Sequence, residues 1–149
     1  VIAATTGTDD ETIIENISKY GFNLGTALGI YEEVRDMLGK HGRRRATEIE
    51  RGRFAIPLHI ANKRGYPHME NYVGRVINDN EYAEMIKSLI ISSAIRETQN
   101  LVTEYFDQAE RSLRMAVSMD CYDKLNDLRT SVSSEFEKII SEVEKEYGR

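Results

Sequence analysis

Three carboxylates, Glu32, Glu33 and Asp36, fall within about one turn of each other in a run that reads as helix. A basic, glycine-bearing loop, Gly39-Lys40-His41-Gly42-Arg43-Arg44-Arg45, follows directly. Residues three or four apart share a helix face, so Glu32 and Asp36 line up and Glu33 sits beside Asp36. Magnesium takes oxygen ligands, keeps several waters and binds through a few carboxylates together with substrate phosphates. Guanidinium groups grip phosphate oxygens through paired hydrogen bonds, and a lysine adds a point charge. Acids on a rigid helix beside a cationic loop are therefore the parts of a magnesium-diphosphate site. Plainer uses stand beside that one. E-E-x-x-D on a helix is commonly a solvated face, and the three arginines can serve as a surface loop or as local partners for nearby acids.

The elements that must position these residues read as helices. Thr8 and Glu11 have the spacing of a capping box. Ile13, Ile14, Ile17, Tyr20 and Leu24 then recur at helical intervals, and the helix is expected to run to about Leu38, where Gly39 and Gly42 break it. Gly21, Gly25 and Gly29 repeat every four residues on one face, a spacing that lets a neighbouring helix approach closely. A loop to about Arg53 leads into Phe54–Gly65, read as a helix with Pro57 in its first turn and Gly65 as its stop. Tyr66-Pro67 marks a turn. A short amphipathic helix is expected over 68–77, and Asn78-Asp79-Asn80 starts the next. A long helical stretch from Glu81 to about Ala116 carries a candidate interruption at Ser92-Ser93. Residues 122–147 read as one or two further helices, with Leu125, Leu128, Val132, Phe136, Ile139, Ile140 and Val143 as the apolar stripe. The expected architecture is an all-α bundle with short connections, one domain over 1–149.

The chain has 149 residues and a net charge of −5, with acids and bases interspersed. That length can bury roughly 70% of the unfolded surface. The charge pattern argues against a general nucleic-acid binder. Cys121 has no second cysteine to pair with, which fits a reducing cytoplasm, and it is read as structural. His41, His59 and His68 are too scattered to suggest zinc. No apolar run has the length of a membrane span. The first residue is Val1, and VIAATTG reads as the tail of an element beginning upstream, so a fragment, a processed product or half of a split protein is expected.

The run Tyr20 to Asp36, YGFNLGTALGIYEEVRD, resembles the second aspartate-rich region of the trans-isoprenyl diphosphate synthases, Y-G-x-x-L-G-x-A-F-Q-I-x-D-D-x-x-D. The likeness continues through Arg43, Glu48-Ile49, Gly52-Arg53 and Ala55-Ile56-Pro57. It goes on through Tyr105, Ala109 and Leu113 to Leu125 and Leu128, over roughly residues 1 to 130. The departures are specific. Glu32 and Glu33 stand for aspartates, Gly29 for glutamine, Leu28 for phenylalanine, and Arg43 and Arg53 for lysines. The family's first D-D-x-x-D region is missing, and Asp9-Asp10 does not supply it, because position 13 is isoleucine.

The resemblance implies the C-terminal half of an isoprenoid synthase fold. It implies Mg2+ held by Glu32, Glu33 and Asp36, and diphosphate bound by Arg43, Arg53 and Lys40. The implied reaction condenses an allylic diphosphate with isopentenyl diphosphate. It requires the N-terminal half, or a partner chain carrying D-D-x-x-D, in a homo- or hetero-oligomer. Two alternatives follow from the departures: a non-catalytic subunit or degenerate homologue that modulates a prenyl synthase, or a helical interaction module unrelated to prenyl chemistry.

Overall fold

In the computed structural model of the chain, residues 7–39, 44–66, 68–116 and 120–148 are described, without the side chains of 120–122. The described residues are helical and contain no strand. Helix α1 covers Glu11–Met37, α2 Thr47–Glu50 and α3 Ile56–Lys63. A 3-10 turn at Met69–Tyr72 precedes α4 (Asp79–Ile91), α5 (Ala94–Arg114) and α6 (Asp120–Tyr147).

Asp10 caps α1, accepting the N–H groups of Thr12 at 2.9 Å and Ile13 at 3.3 Å. The expected pairing of Thr8 with Glu11 gives way to this cap. The Thr8 hydroxyl sits one step further out and accepts the Asp10 N–H at 3.1 Å. A carboxylate at this position also complements the positive end of the helix. Leu38 closes α1, and Gly39 turns the chain with φ +62. A Cβ there would stand 2.6 Å from the Cβ of Arg45, so glycine is required twice over.

Pro57 lies in the first turn of α3, and Gly65 follows its end with φ +82. The amphipathic helix expected over 68–77 is not formed. The 3-10 turn ends at Tyr72, because Gly74 at φ +78 redirects the chain. Asn78 and Glu81 form a capping box at the start of α4. Ser93, in the left-handed region at φ 58, separates α4 from α5. Arg64 spans that break: it donates to the Ser92 carbonyl at 2.5 Å and pairs with Glu97.

The core is built on α1 and α5, which pack along one another, with α3, α4 and α6 laid against α5. The inner face of α5 is Ala94, Ile95, Thr98, Val102, Phe106, Ala109 and Leu113, a 3.6-residue stripe. It meets Ala27, Ile30, Val34 and Met37 of α1, and Phe136 and Ile140 of α6 complete the cluster. Across α5 and α6, Arg96 reaches both Glu137 and Glu144 at 2.8 Å.

The other side of α1 is bare. Residues 20–31 carry no charge on any face, yet Gly21, Gly25 and Gly29 are all exposed, as is Phe22 at 69%. Among the described residues nothing stands within 4 Å of a Cβ built on any of the three glycines. A glycine in a helix interior costs about 1 kcal/mol relative to alanine. Within the described chain, no close packing offsets that cost.

Candidate functional site

The three acids of the E-E-x-x-D run leave α1 in three directions. Glu32 is half exposed and pairs with Arg35 one turn on. Glu33 Oε2 accepts the main-chain N–H of Ile56 at 3.1 Å. Asp36 is buried, and its Oδ2 accepts the N–H of Glu48 at 2.9 Å. The Asp36 carbonyl oxygen accepts two more N–H groups, from Gly39 at 3.1 Å and Ala46 at 3.0 Å.

These contacts have a common logic. The N-cap residues of α2 and α3 are Ala46 and Ala55, neither of which has a side-chain oxygen. A helix start leaves its first N–H groups without partners, and a side-chain acceptor normally satisfies one. Asp36 and Glu33 do this from a distance, and their charge suits the positive end of each helix. Two members of the acidic cluster thus join α1 to the two short helices that follow it.

The basic residues are paired locally. Arg53 is exposed and lies 3.3 Å from Glu48, which also meets Arg51 at 3.0 Å. Arg44 reaches Glu50 at 2.9 Å. Arg45 pairs with Asp79 and lies over the Tyr82 ring, 4.1 Å from its centre. Lys40 and Arg43 lie outside the described residues. The arginine run therefore serves, as far as it is described, as partner to nearby acids.

An open cleft of about 260 Å³ is lined by Leu38, Gly39, Arg45, Tyr82, Val143, Glu146 and Tyr147. Glu32, Glu33 and Asp36 do not line it. Burial raises the Tyr82 hydroxyl well above the usual tyrosine range, so it stays protonated and donates to the Met37 carbonyl at 3.3 Å. On the α6 side of α1, Tyr31 packs on Phe136 with ring centres 5.6 Å apart. Burial, and then the Glu135 carboxylate, push its hydroxyl upward too.

Among the described residues, no three His, Cys, Asp or Glu side chains are grouped as a metal ion requires. In this arrangement the three acids diverge, and Glu33 and Asp36 each accept a main-chain N–H. What sequence reasoning missed is the partner of each acid. The available signal was the alanine at both cap positions, 46 and 55.

The chain is 29% identical over 108 residues to a decaprenyl-diphosphate synthase of Dictyostelium discoideum, an alignment covering 70% of this chain and 24% of the relative. The chain thus spans about a quarter of the length of the curated relative it matches. No family model matches it. No solved structure matches it. No helix among the described residues is long and apolar enough to cross a membrane.

Proposed function

We propose that this chain is a prenyl-synthase-related subunit, one domain equivalent to part of a synthase, which works beside a chain carrying D-D-x-x-D. Its own acidic cluster holds the fold together instead of a metal ion. The observation that carries this reading is the use of Glu33 and Asp36 as distant caps, accepting Ile56 N–H at 3.1 Å and Glu48 N–H at 2.9 Å. The likeness to a decaprenyl-diphosphate synthase supports the prenyl connection. The single Cys121 supports a reducing setting, the cytoplasm.

The test is co-purification with a full-length synthase that carries both aspartate-rich regions, followed by assay of product rate and chain length. Complex formation that survives Glu32→Ala and Arg53→Ala, with altered synthase output, is the expected result. Calorimetry of the chain alone with Mg2+ and pyrophosphate is expected to give no heat. Loss of the complex on either substitution counts against the reading.

A second reading is favoured by one specific feature, the order of the glycine block, E-E-x-x-D, basic loop and Ala55-Ile56-Pro57 in a single run. In it the chain is the catalytic C-terminal half. Completed by an N-terminal half, it would take part in Mg-dependent condensation of an allylic diphosphate with isopentenyl diphosphate. Glu32, Glu33 and Asp36 would then be the metal's residues, and Lys40, Arg43 and Arg53 the diphosphate's. Condensation that appears on adding a D-D-x-x-D half, and disappears on Glu32→Gln, would establish this reading over the first.

A further inference from the structure

Acids and bases are mixed over most of the chain, but residues 51–69 hold Arg51, Arg53, Lys63 and Arg64 and not one aspartate or glutamate. The chain as a whole carries a net charge of −5, so this run has the opposite sign. The fold turns it outward. Pro57, Leu58 and Ala61 bury one side of α3, and His59, Asn62 and Lys63 are exposed on the other. Arg51, Arg53 and Phe54, which lead into α3, are exposed too. The Phe54 ring meets His59 edge-on with centres 6.1 Å apart, which joins that lead-in to the outer side of α3. Lys63 stands one turn beyond His59 on the same side. Arg51 and Arg53 share one carboxylate, Glu48, so the two keep a positive charge between them after pairing. Lys63 has no ion pair among the described residues.

We propose that this side of α3 rests on an anionic lipid surface, with Arg51, Arg53 and Lys63 among the headgroups and Phe54 at the boundary with the acyl chains. A soluble anion needs donors that converge on one point. Here Lys63 lies about 12 Å along α3 from the end that Arg51 and Arg53 lead into. The headgroups of a bilayer are many and mobile, so dispersed cations each find one, and each adds to the binding. Phe54 is 36% exposed, an apolar group set among cations, as in segments that lie at a membrane interface. One ring in edge contact with a histidine is no stacking platform for bases, which argues against a nucleic acid. The proposal goes beyond the subunit reading and stands without it.

The test is co-sedimentation of the whole chain with vesicles of phosphatidylcholine alone, or of phosphatidylcholine mixed with phosphatidylserine. The chain is expected to sediment with the mixed vesicles only, and to be released as salt rises. Lys63→Gln removes an exposed charge and is expected to weaken binding about fivefold with the melting temperature unchanged. Lys138→Gln makes the same change at an exposed position of α6 and is expected to leave binding as it was. Phe54→Ala is expected to weaken binding by a factor that salt leaves unchanged. Equal sedimentation with both vesicles, or equal losses from Lys63→Gln and Lys138→Gln, overturns the proposal. Pyrophosphate that strips the chain from vesicles at an ionic strength where sodium chloride does not assigns the face to a soluble phosphate and overturns it. Binding to polyuridylate or to polyglutamate in place of vesicles assigns the face to a nucleic acid or an acidic protein and overturns it too. A chain that sediments with the mixed vesicles but enters no complex with a synthase upholds the lipid surface and sinks the subunit reading.

Discussion

Glu33 reaches across 23 positions of sequence to Ile56, whose main-chain N–H it accepts at 3.1 Å, and so fastens α1 to the start of α3. A residue that reads as a metal ligand is, in this fold, a helix cap. The first consequence concerns stability. Glu33→Ala is expected to cost about 1 kcal/mol, the usual loss for a removed cap. Chemical denaturation in metal-free buffer measures it. A metal-ligand role alone predicts no loss there.

Asp36 gives a sharper contrast. It is buried, and Asp36→Ala would leave the Glu48 N–H without its partner, at a cost of about 1–3 kcal/mol. Asp36→Asn keeps a carbonyl oxygen and is expected to recover much of that. The pair of variants, compared by denaturant midpoint, separates hydrogen bonding from charge.

Two glycines should respond in opposite directions. Gly39→Ala introduces a Cβ 2.6 Å from that of Arg45 at φ +62, and is expected to destabilise by about 2 kcal/mol or more. Gly25→Ala sits in open helix and is expected to stabilise the isolated chain by up to about 1 kcal/mol. Melting temperatures of the two variants decide both.

Acid should loosen α6. Arg96, then Gln99, holds the Glu137 carboxyl below its ordinary range, and Arg75, then the Asn78 N–H, does the same for Glu81. A carboxyl whose folded value is depressed takes up its proton more readily in the unfolded chain. Its contribution is therefore present above the unfolded value and lost as pH falls through that value toward the folded one. Stability is expected to decline below about pH 4.5, the ordinary glutamate value. Arg96→Gln should flatten that decline, as read from denaturation midpoints across an acid series.

The helices were legible because their signals are local. Pro57 in a first turn, Asn78 with Glu81, and the Ser92-Ser93 break each act within a few residues, and the 3.6-residue stripe of α5 marks its own buried face. Where two local signals compete, the reading slips. Asp10 displaces Thr8 as the cap of α1, and Gly74 stops a helix that the apolar spacing around Met69 suggests. The candidate site was legible in residue type but not in direction. The partners of Asp36 and Glu33 are main-chain N–H groups 12 and 23 residues away, and a backbone group has no letter of its own in a sequence. Arg45 and Asp79, 34 residues apart, pair for reasons equally invisible in either segment.

Gly39 and Ala46 both donate to the one carbonyl oxygen of Asp36, so the chain is cinched at a neck on either side of residues 40–45. Lengthening a loop whose stem is already closed costs little, because closure entropy grows only with the logarithm of its length. Insertions between Gly39 and Arg44 should leave the helices undisturbed, provided that Arg45 keeps its pairing with Asp79. The length of chain between Gly39 and Arg44 is thus a weaker constraint on the bundle than the pairing of Arg45 with Asp79.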